Sequence, residues 1–364
     1  MAEESFTRKL FEVMALNGAV SKEAIRLMDG GTNSKYASLS RMRRNGWIVT
    51  MNGFTRFNFN DISQAILNKR LKRELQDICR DTVKNSYKKD KARIARLKNQ
   101  SEAFVMVKEA MIEVVLSEDK IDSRVAQYLD SRMAKAGSNA DAVKAYSRSR
   151  HCGVIYGQSR NLYVMYVVDN GTMLWEKNAE IAAKQNAEER YNSITGIKTS
   201  AKAVILTGDV GSIKLYLQDG LFRTQNGQVS ERQFISAVGI YNDMLVIPKN
   251  NDGKMLLSLI TMPNYEKVLN EVVLNISGDV RGIVADKEDY EDGITRYSLN
   301  FVNPNINRLR SFLIAAQMNP NYRFCIHCLE EYREGVESVI ESGNVEIVTH
   351  TMDEIIDGLA LKIA

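Results

Sequence analysis

Along the first sixty residues the apolar positions fall three times at helical intervals and then switch to alternation. In FTRKLFEVMALNGAV, Leu10, Val13, Met14 and Leu16 recur at near-helical spacing and Gly18 supplies a stop. SKEAIRLMDGG predicts a second helix, with Ser21 as its N-cap and Gly30-Gly31 at its end. A third follows, capped by Asn33 or Ser34, turning Leu39 and Met42 inward and stopping at Asn45-Gly46. WIVT and TRFNF then flank Met51-Asn52-Gly53-Phe54, and an Asn-Gly between two β-prone runs is a strong hairpin signal.

Three helices and a hairpin are the plan of a winged helix-turn-helix, expected over residues 1–61. In that plan the third helix packs on one side and projects donors into the DNA major groove from the other. Leu39 and Met42 are expected to hold it to the core. Lys35, Ser38, Arg41 and Arg44 are expected on its polar side, with Arg56 beside the hairpin at a phosphate or the minor groove. Arginines at a helix end also complement the helix dipole, so a winged domain that binds only protein stays open.

From 62 to 135 the pattern predicts a helical connector. Leu67, Leu71, Leu75 and Ile78 form one stripe, and Phe104, Val107, Met111 and Val114 a second. Between them KNSYKKDKARIARLKN carries Asp90 as its single acidic residue. Such a run is either a solvated face or a second phosphate-contacting surface, the latter through Lys88, Lys89, Lys91, Arg93 and Arg96. AKAGSNADA, at 134–142, reads as a domain boundary.

Beyond it, HCGVIYG, LYVMYVVD and GTMLWEK predict three antiparallel strands, with turns near Ser159-Arg160 and Asn170-Gly171, and a helix is expected over 177–192. Strands at KAVILTG, RGIVAD, ITRYSLNFV, YRFCIHC and NVEIVTH alternate with helices at SIKLYLQDG, YEKVLNEVVLNI, NINRLRSFLIAAQ, EEYREGVESVIES and MDEIIDGLAL. DMLVIP and KMLLSLIT read as a strand pair about Asn250-Asn251-Asp252-Gly253. The fold expected is therefore an α+β / α/β multidomain protein: a winged head, a basic helical connector and a mixed α/β sheet domain over 143–364, with a possible subdomain break near 262–280.

Composition sharpens this picture at one place. The 364 residues, 44% hydrophobic and 26% charged, are ordinary for folded domains. Charge is not evenly spread: residues 41–99 hold 16 Lys/Arg against 5 Asp/Glu, which leaves 33 against 40 for the rest. A basic segment on a mildly acidic chain points to a polyanion partner at that segment. No apolar run is long enough to span a bilayer and the start MAEESFTRKL lacks a signal-peptide core. A cytoplasmic protein with no membrane partner and with reduced Cys79, Cys152, Cys325 and Cys328 is expected.

Candidate chemistry in the second domain is sparse. CIHC at 325–328 could open a zinc site, yet the only other such pair, His151-Cys152, is distant in sequence. The simpler reading is a buried strand with Phe324, Ile326 and Cys328 on one face and Cys325 and His327 on the other. TGDVGSIK at 207–214 lacks the phosphate-loop spacing, and Asp209 or Ser212 capping a helix explains it. A metal-dependent nuclease of the restriction-enzyme type needs an Asp on one strand and a Glu-x-Lys on the next. Asp243 is the one candidate, KMLLSLIT offers no second carboxylate, and Glu176-Lys177 is an adjacent pair rather than an alternating one. No complete catalytic constellation, metal site or cofactor site is expected.

GWIVTMNGFTRFNF in the head, the connector, and SRHCGVIYG with NINRLRSF and RFCIHC in the α/β domain together resemble replication-relaxation-type proteins of plasmids and integrative elements. That resemblance implies a role in replication, transfer or maintenance of a mobile element through double-stranded DNA binding. Homo-oligomerisation, since one winged head reads a short half-site, and contacts with replication or transfer proteins are expected alongside it.

Overall fold

The computed structural model describes residues 2–51, 53–58, 73–77, 79, 91–136, 149–168, 177–208, 223–225, 228–230, 240–276, 284–291 and 293–363. The chain is mixed α/β and divides into two compact units, residues 1–113 and 114–364. The division differs from the 134–142 boundary expected from composition, because the segment after 112 forms strands of the larger unit's sheet.

In the first unit α1 (Ala2–Asn17), β1 (Val20–Ser21), α2 (Lys22–Leu27), α3 (Thr32–Arg44), β2 (Ile48–Met51) and β3 (Phe54–Phe57) follow in order. Ser21 caps α2 as expected, its Oγ accepting from Ala24 N at 3.0 Å. α3 begins after Gly31, without a side-chain cap, two or three residues earlier than Asn33 or Ser34 would start it. Asn45 ends it and Gly46, at φ 69°, turns the chain through the left-handed region. The three strands form an antiparallel sheet in the order β1-β3-β2, with Met51 opposite Phe54 and Gly53 at φ 80° in the tight turn. Phe11 of α1 meets Phe57 of β3 edge to face at 5.2 Å, sealing helices to sheet.

α4 (Lys91–Glu109) packs on α1, α2 and β1. Residues 73–77 are helical, and Phe104 and Val107 are buried as expected. The second stripe ends sooner than its spacing suggests. Met111, at φ 61°, is 87% exposed and leaves the helix, and Val114 lies in β4 (Glu113–Val115). Leu67, Leu71 and Ile78 lie outside the described residues.

The second unit is built on a six-stranded sheet ordered β11-β8-β7-β6-β5-β4. β5 (Gln127–Asp130) runs into α5 (Ser131–Ala136), and β6 (Gly153–Tyr156) pairs antiparallel with both β5 and β7 (Leu162–Val168). Ser159 and Arg160, at φ 51° and 76°, make the β6–β7 turn that the sequence marks. α6 (Lys177–Thr195) carries the chain to β8 (Lys202–Thr207), parallel to β7. β9 (Arg223–Gln225) and β10 (Gln228–Ser230) form a separate hairpin, and β11 (Met244–Pro248) runs parallel to β8. Every residue of β7 is buried, which is why LYVMYVV reads as an unbroken apolar run.

α7 (Asn251–Ile260) corrects the strand expected at KMLLSLIT. Asn250 Oδ1 accepts from Gly253 N at 2.9 Å and starts a helix, on which Leu256, Leu257 and Ile260 turn inward. A Cβ at Gly253 would stand 1.7 Å from Pro248 O, so only glycine lets this helix begin so close to the end of β11.

After α8 (Tyr265–Val273), β12 (Lys287–Glu291) is a charged strand lying just past the expected RGIVAD. It pairs antiparallel with β13 (Ile294–Asn300), which leads through α9 (Ile306–Met318) to β14 (Arg323–Leu329). α10 (Arg333–Glu337) is shorter than expected, and β15 (Val345–His350) and α11 (Met352–Ile363) complete the chain. β13, β14 and β15 are parallel. Val246 N donates to Pro304 O at 3.1 Å and Tyr332 Oη to Val246 O at 2.8 Å, linking β11 to the segments that flank the four-stranded sheet. GTMLWEK through residue 176, SIKLYLQDG and all of TGDVGSIK past residue 208 lie outside the described residues. No described helix is long and apolar enough to cross a membrane.

Candidate nucleic-acid interface

α3 combines a firmly packed side with an exposed cationic one. Leu39 and Met42 are each 1% exposed, as expected for the core side. Lys35 and Ser38, expected on the polar side, are buried with them. The Lys35 ammonium donates to Met28 O at 2.6 Å and Arg26 O at 3.1 Å, satisfying carbonyls at the end of α2 that have no partner within that helix. Lys35 is therefore a clamp between α2 and α3 and does not project from the surface.

Arg41, Arg43 and Arg44 are exposed in the last turn of α3, and the helix TNSKYASLSRMRR has no acidic residue. Arg43 Nε donates to Thr50 Oγ1 at 3.0 Å, joining the helix to β2. Arg56 stands half-buried on β3, with its guanidinium 3.9 Å from Met51 Sδ. Trp47 N donates to Met42 O at 2.9 Å, and Asn58 donates to Trp47 O and Gly46 O, both at 3.0 Å, closing the base of the hairpin. Helix end and hairpin thus share one hydrogen-bonded joint.

α4 supplies further basic residues. Lys91 and Arg93 lie in its first turns and Arg96 is exposed in the next, while Lys88 and Lys89 lie outside the described residues. The helix is anchored beyond that end. Asn17 Nδ2 donates to Leu97 O at 2.9 Å, and Ser101 Oγ accepts from Ser21 N at 3.2 Å. Lys9 pairs with Glu109 at 2.5 Å, and Lys108 pairs with Glu12. Burial raises the Glu12 carboxyl, but Lys108 and then Arg8 outweigh it and hold it below the usual value. Glu109 moves the other way, raised by burial and by Asp29 against the opposing Lys9.

In the second unit, Asp243 precedes β11 and accepts from Asn305 Nδ2 at 2.5 Å. Lys202 lies 3.9 Å from it and 2.7 Å from Glu266, so a cation already sits between the two carboxylates. Among the described residues no group of three or more His, Cys, Asp or Glu could hold a metal ion. Glu176 lies outside the described residues.

CIHC lies on β14 with the two faces expected. His327 Nε2 is 3.4 Å from Cys325 Sγ, and His327 Nδ1 is 3.0 Å from Nε2 of His350, whose ring stacks on it. Burial, then His350, Arg296 and Lys287, lower His327 to about 4, and burial raises Cys325 to about 11 and Cys328 to about 12. None of the four cysteines forms a disulfide, and all four are buried.

One cluster has no signal in the sequence. Glu180 of α6 is fully buried; its Oε2 accepts from Ser149 Oγ at 2.6 Å and Tyr166 Oη at 2.8 Å, and its Oε1 accepts from Arg150 N at 3.0 Å. Tyr241 Oη lies 2.7 Å from Tyr166 Oη, and His151 Nδ1 2.7 Å from Ser149 Oγ. With the Ser149 proton directed at Glu180, His151 must donate from Nδ1. Serine, not histidine, is the central member, so the order of a hydrolytic triad, in which histidine bridges nucleophile and carboxylate, is absent.

No family model, no curated protein and no solved structure matches the chain.

Proposed function

We propose that residues 2–58 are a winged helix-turn-helix and that the protein is a sequence-specific double-stranded DNA-binding protein. The observation that carries this reading is α3 itself. It is fixed to the core by Leu39, Met42 and the Lys35 clamp, it exposes Arg41, Arg43 and Arg44 with no carboxylate on the helix, and it abuts an antiparallel hairpin. Supporting it, α1 precedes β1, α2 and α3 lie between β1 and β2, and the sheet order β1-β3-β2 sets the hairpin beside α3, as a helix seated in the major groove requires a rigid support. Arg56, Lys91, Arg93 and Arg96, with Lys88 and Lys89, add phosphate contacts in this reading.

The larger unit then serves assembly or recruitment, with a dimer pairing two half-sites in the cytoplasm. Service to a mobile element's replication, transfer or maintenance rests on the resemblance in layout alone. The nuclease alternative loses its support, since KMLLSLIT is helical and Asp243 faces Asn305 and Lys202.

Gel shifts of the full chain at graded salt test the proposal. Binding through about six phosphates loses orders of magnitude in affinity between about 50 and 200 mM salt. Arg41→Glu with Arg44→Glu should abolish binding while the thermal midpoint stays put. Salt-independent retention, or wild-type binding kept by the double variant, overturns it.

A further inference from the structure

The residues of α3 fall into stripes whose roles differ. Lys35, Ser38, Leu39 and Met42 are buried. At about 100° per residue, the positions diametrically opposite are Asn33, Ala37, Ser40 and Arg44, and all four are exposed. Tyr36, 43% exposed, and Arg43 flank this line on the side where Arg43 meets Thr50. Ser34 and Arg41 flank the other side. The most outward line of the helix is therefore not the set of cations that draws attention in the sequence.

These four side chains offer different things to a base edge. The Asn33 carboxamide presents a donor and an acceptor side by side, matching adenine N6 and N7. The Ala37 methyl suits the thymine C5 methyl. The Arg44 fork matches guanine O6 and N7, and Ser40 serves either pair without preference. Arg41 and Arg43, on the flanks, are placed for phosphates, which position the helix and carry no sequence information. From Asn33 to Arg44 the helix runs about 16 Å, or roughly five base-pair steps at about 3.4 Å each.

We infer that α3 reads duplex DNA through Asn33, Ala37, Ser40 and Arg44, with an A·T pair beneath its amino-terminal end and a G·C pair beneath its carboxyl-terminal end, roughly five steps apart. The inference rests on the DNA-binding reading and adds which side chains select bases. Charge complementarity supplies the occupant: the stripe lies between two arginines on a helix without a carboxylate.

Selection from random duplexes with the full chain, repeated with three variants, tests it. The wild type should enrich a motif with one A·T and one G·C position within roughly five base pairs. Asn33→Ala should flatten the A·T position alone and weaken the selected site about 5- to 100-fold. Arg44→Gln should flatten the G·C position alone. Arg41→Ala should weaken all duplexes alike and lower the salt slope by about one. All three residues are exposed, so unchanged thermal midpoints are expected and verify folding. A motif left intact by both Asn33→Ala and Arg44→Gln, or salt-dependent retention with no motif, overturns this assignment and leaves DNA binding standing. Failure to retain any duplex at about 50 mM salt overturns both.

Discussion

Arg43 Nε lies 3.0 Å from Thr50 Oγ1, so the last turn of α3 and the first strand of the hairpin are tied by a side-chain hydrogen bond at the surface. Being exposed, this bond is worth about 0.5–1 kcal/mol, too little to fold the unit and enough to hold the hairpin in place. Thr50→Ala should leave the thermal midpoint nearly unchanged. Amide exchange in residues 48–51 should rise by a few-fold, and no rise would show the tie to be idle.

Lys35 is expected to behave differently from its arginine neighbours. Lys35→Met keeps the stem and removes a buried ammonium bonded to two carbonyls, a loss of about 1–3 kcal/mol. Arg44→Ala, at an exposed position, should stay within about 0.5 kcal/mol of the wild type. Urea midpoints compare the two directly. Equal effects would place Lys35 among surface residues.

Gly253→Ala should be among the costliest small substitutions in the chain. The added Cβ would meet the backbone oxygen of Pro248 at 1.7 Å, so α7 must shift at a cost of about 1–3 kcal/mol or more. Thermal unfolding of the variant checks it. Tolerance would mean that the β11–α7 junction yields easily.

A buried carboxyl and a half-buried imidazole give opposite pH signatures. Burial raises Glu180 above 4.5, so its contribution is full below that value and is lost as pH rises through the raised value. The urea midpoint of Glu180→Gln should therefore gain on the wild type between acid and neutral pH. His327 is lowered from 6.5 to about 4, so its contribution is full above 6.5 and is lost as pH falls toward 4. His327→Asn should flatten the wild type's decline across that window. A parallel pH dependence of variant and wild type would refute either assignment.

The helices and hairpin of the first unit are legible because their signals are local: Ser21 at a cap, Asn45-Gly46 at a helix end, an Asn-Gly turn between β-prone runs. The outward side of α3 is not. Apolar spacing assigns every polar residue to the surface, whereas a lysine can bury its stem and deliver its charge to carbonyls nearby. KMLLSLIT is a short apolar run, compatible with strand or helix by period alone, and the Asn250 cap decides it. β12, KEDYE, carries no alternation, and its pairing with β13 makes it a strand. Ser149, Tyr166, Glu180 and Tyr241 meet only through the sheet topology, which no spacing along the chain announces.

The clamp from Lys35 to the end of α2 has a consequence for the cost of association. With the angle between α2 and α3 set inside the free protein, the duplex of the proposed reading would meet a surface at α3 already in its final shape. In that reading little ordering entropy would remain to be lost on complex formation, and recognition speed would be limited by encounter and orientation rather than by folding of α3.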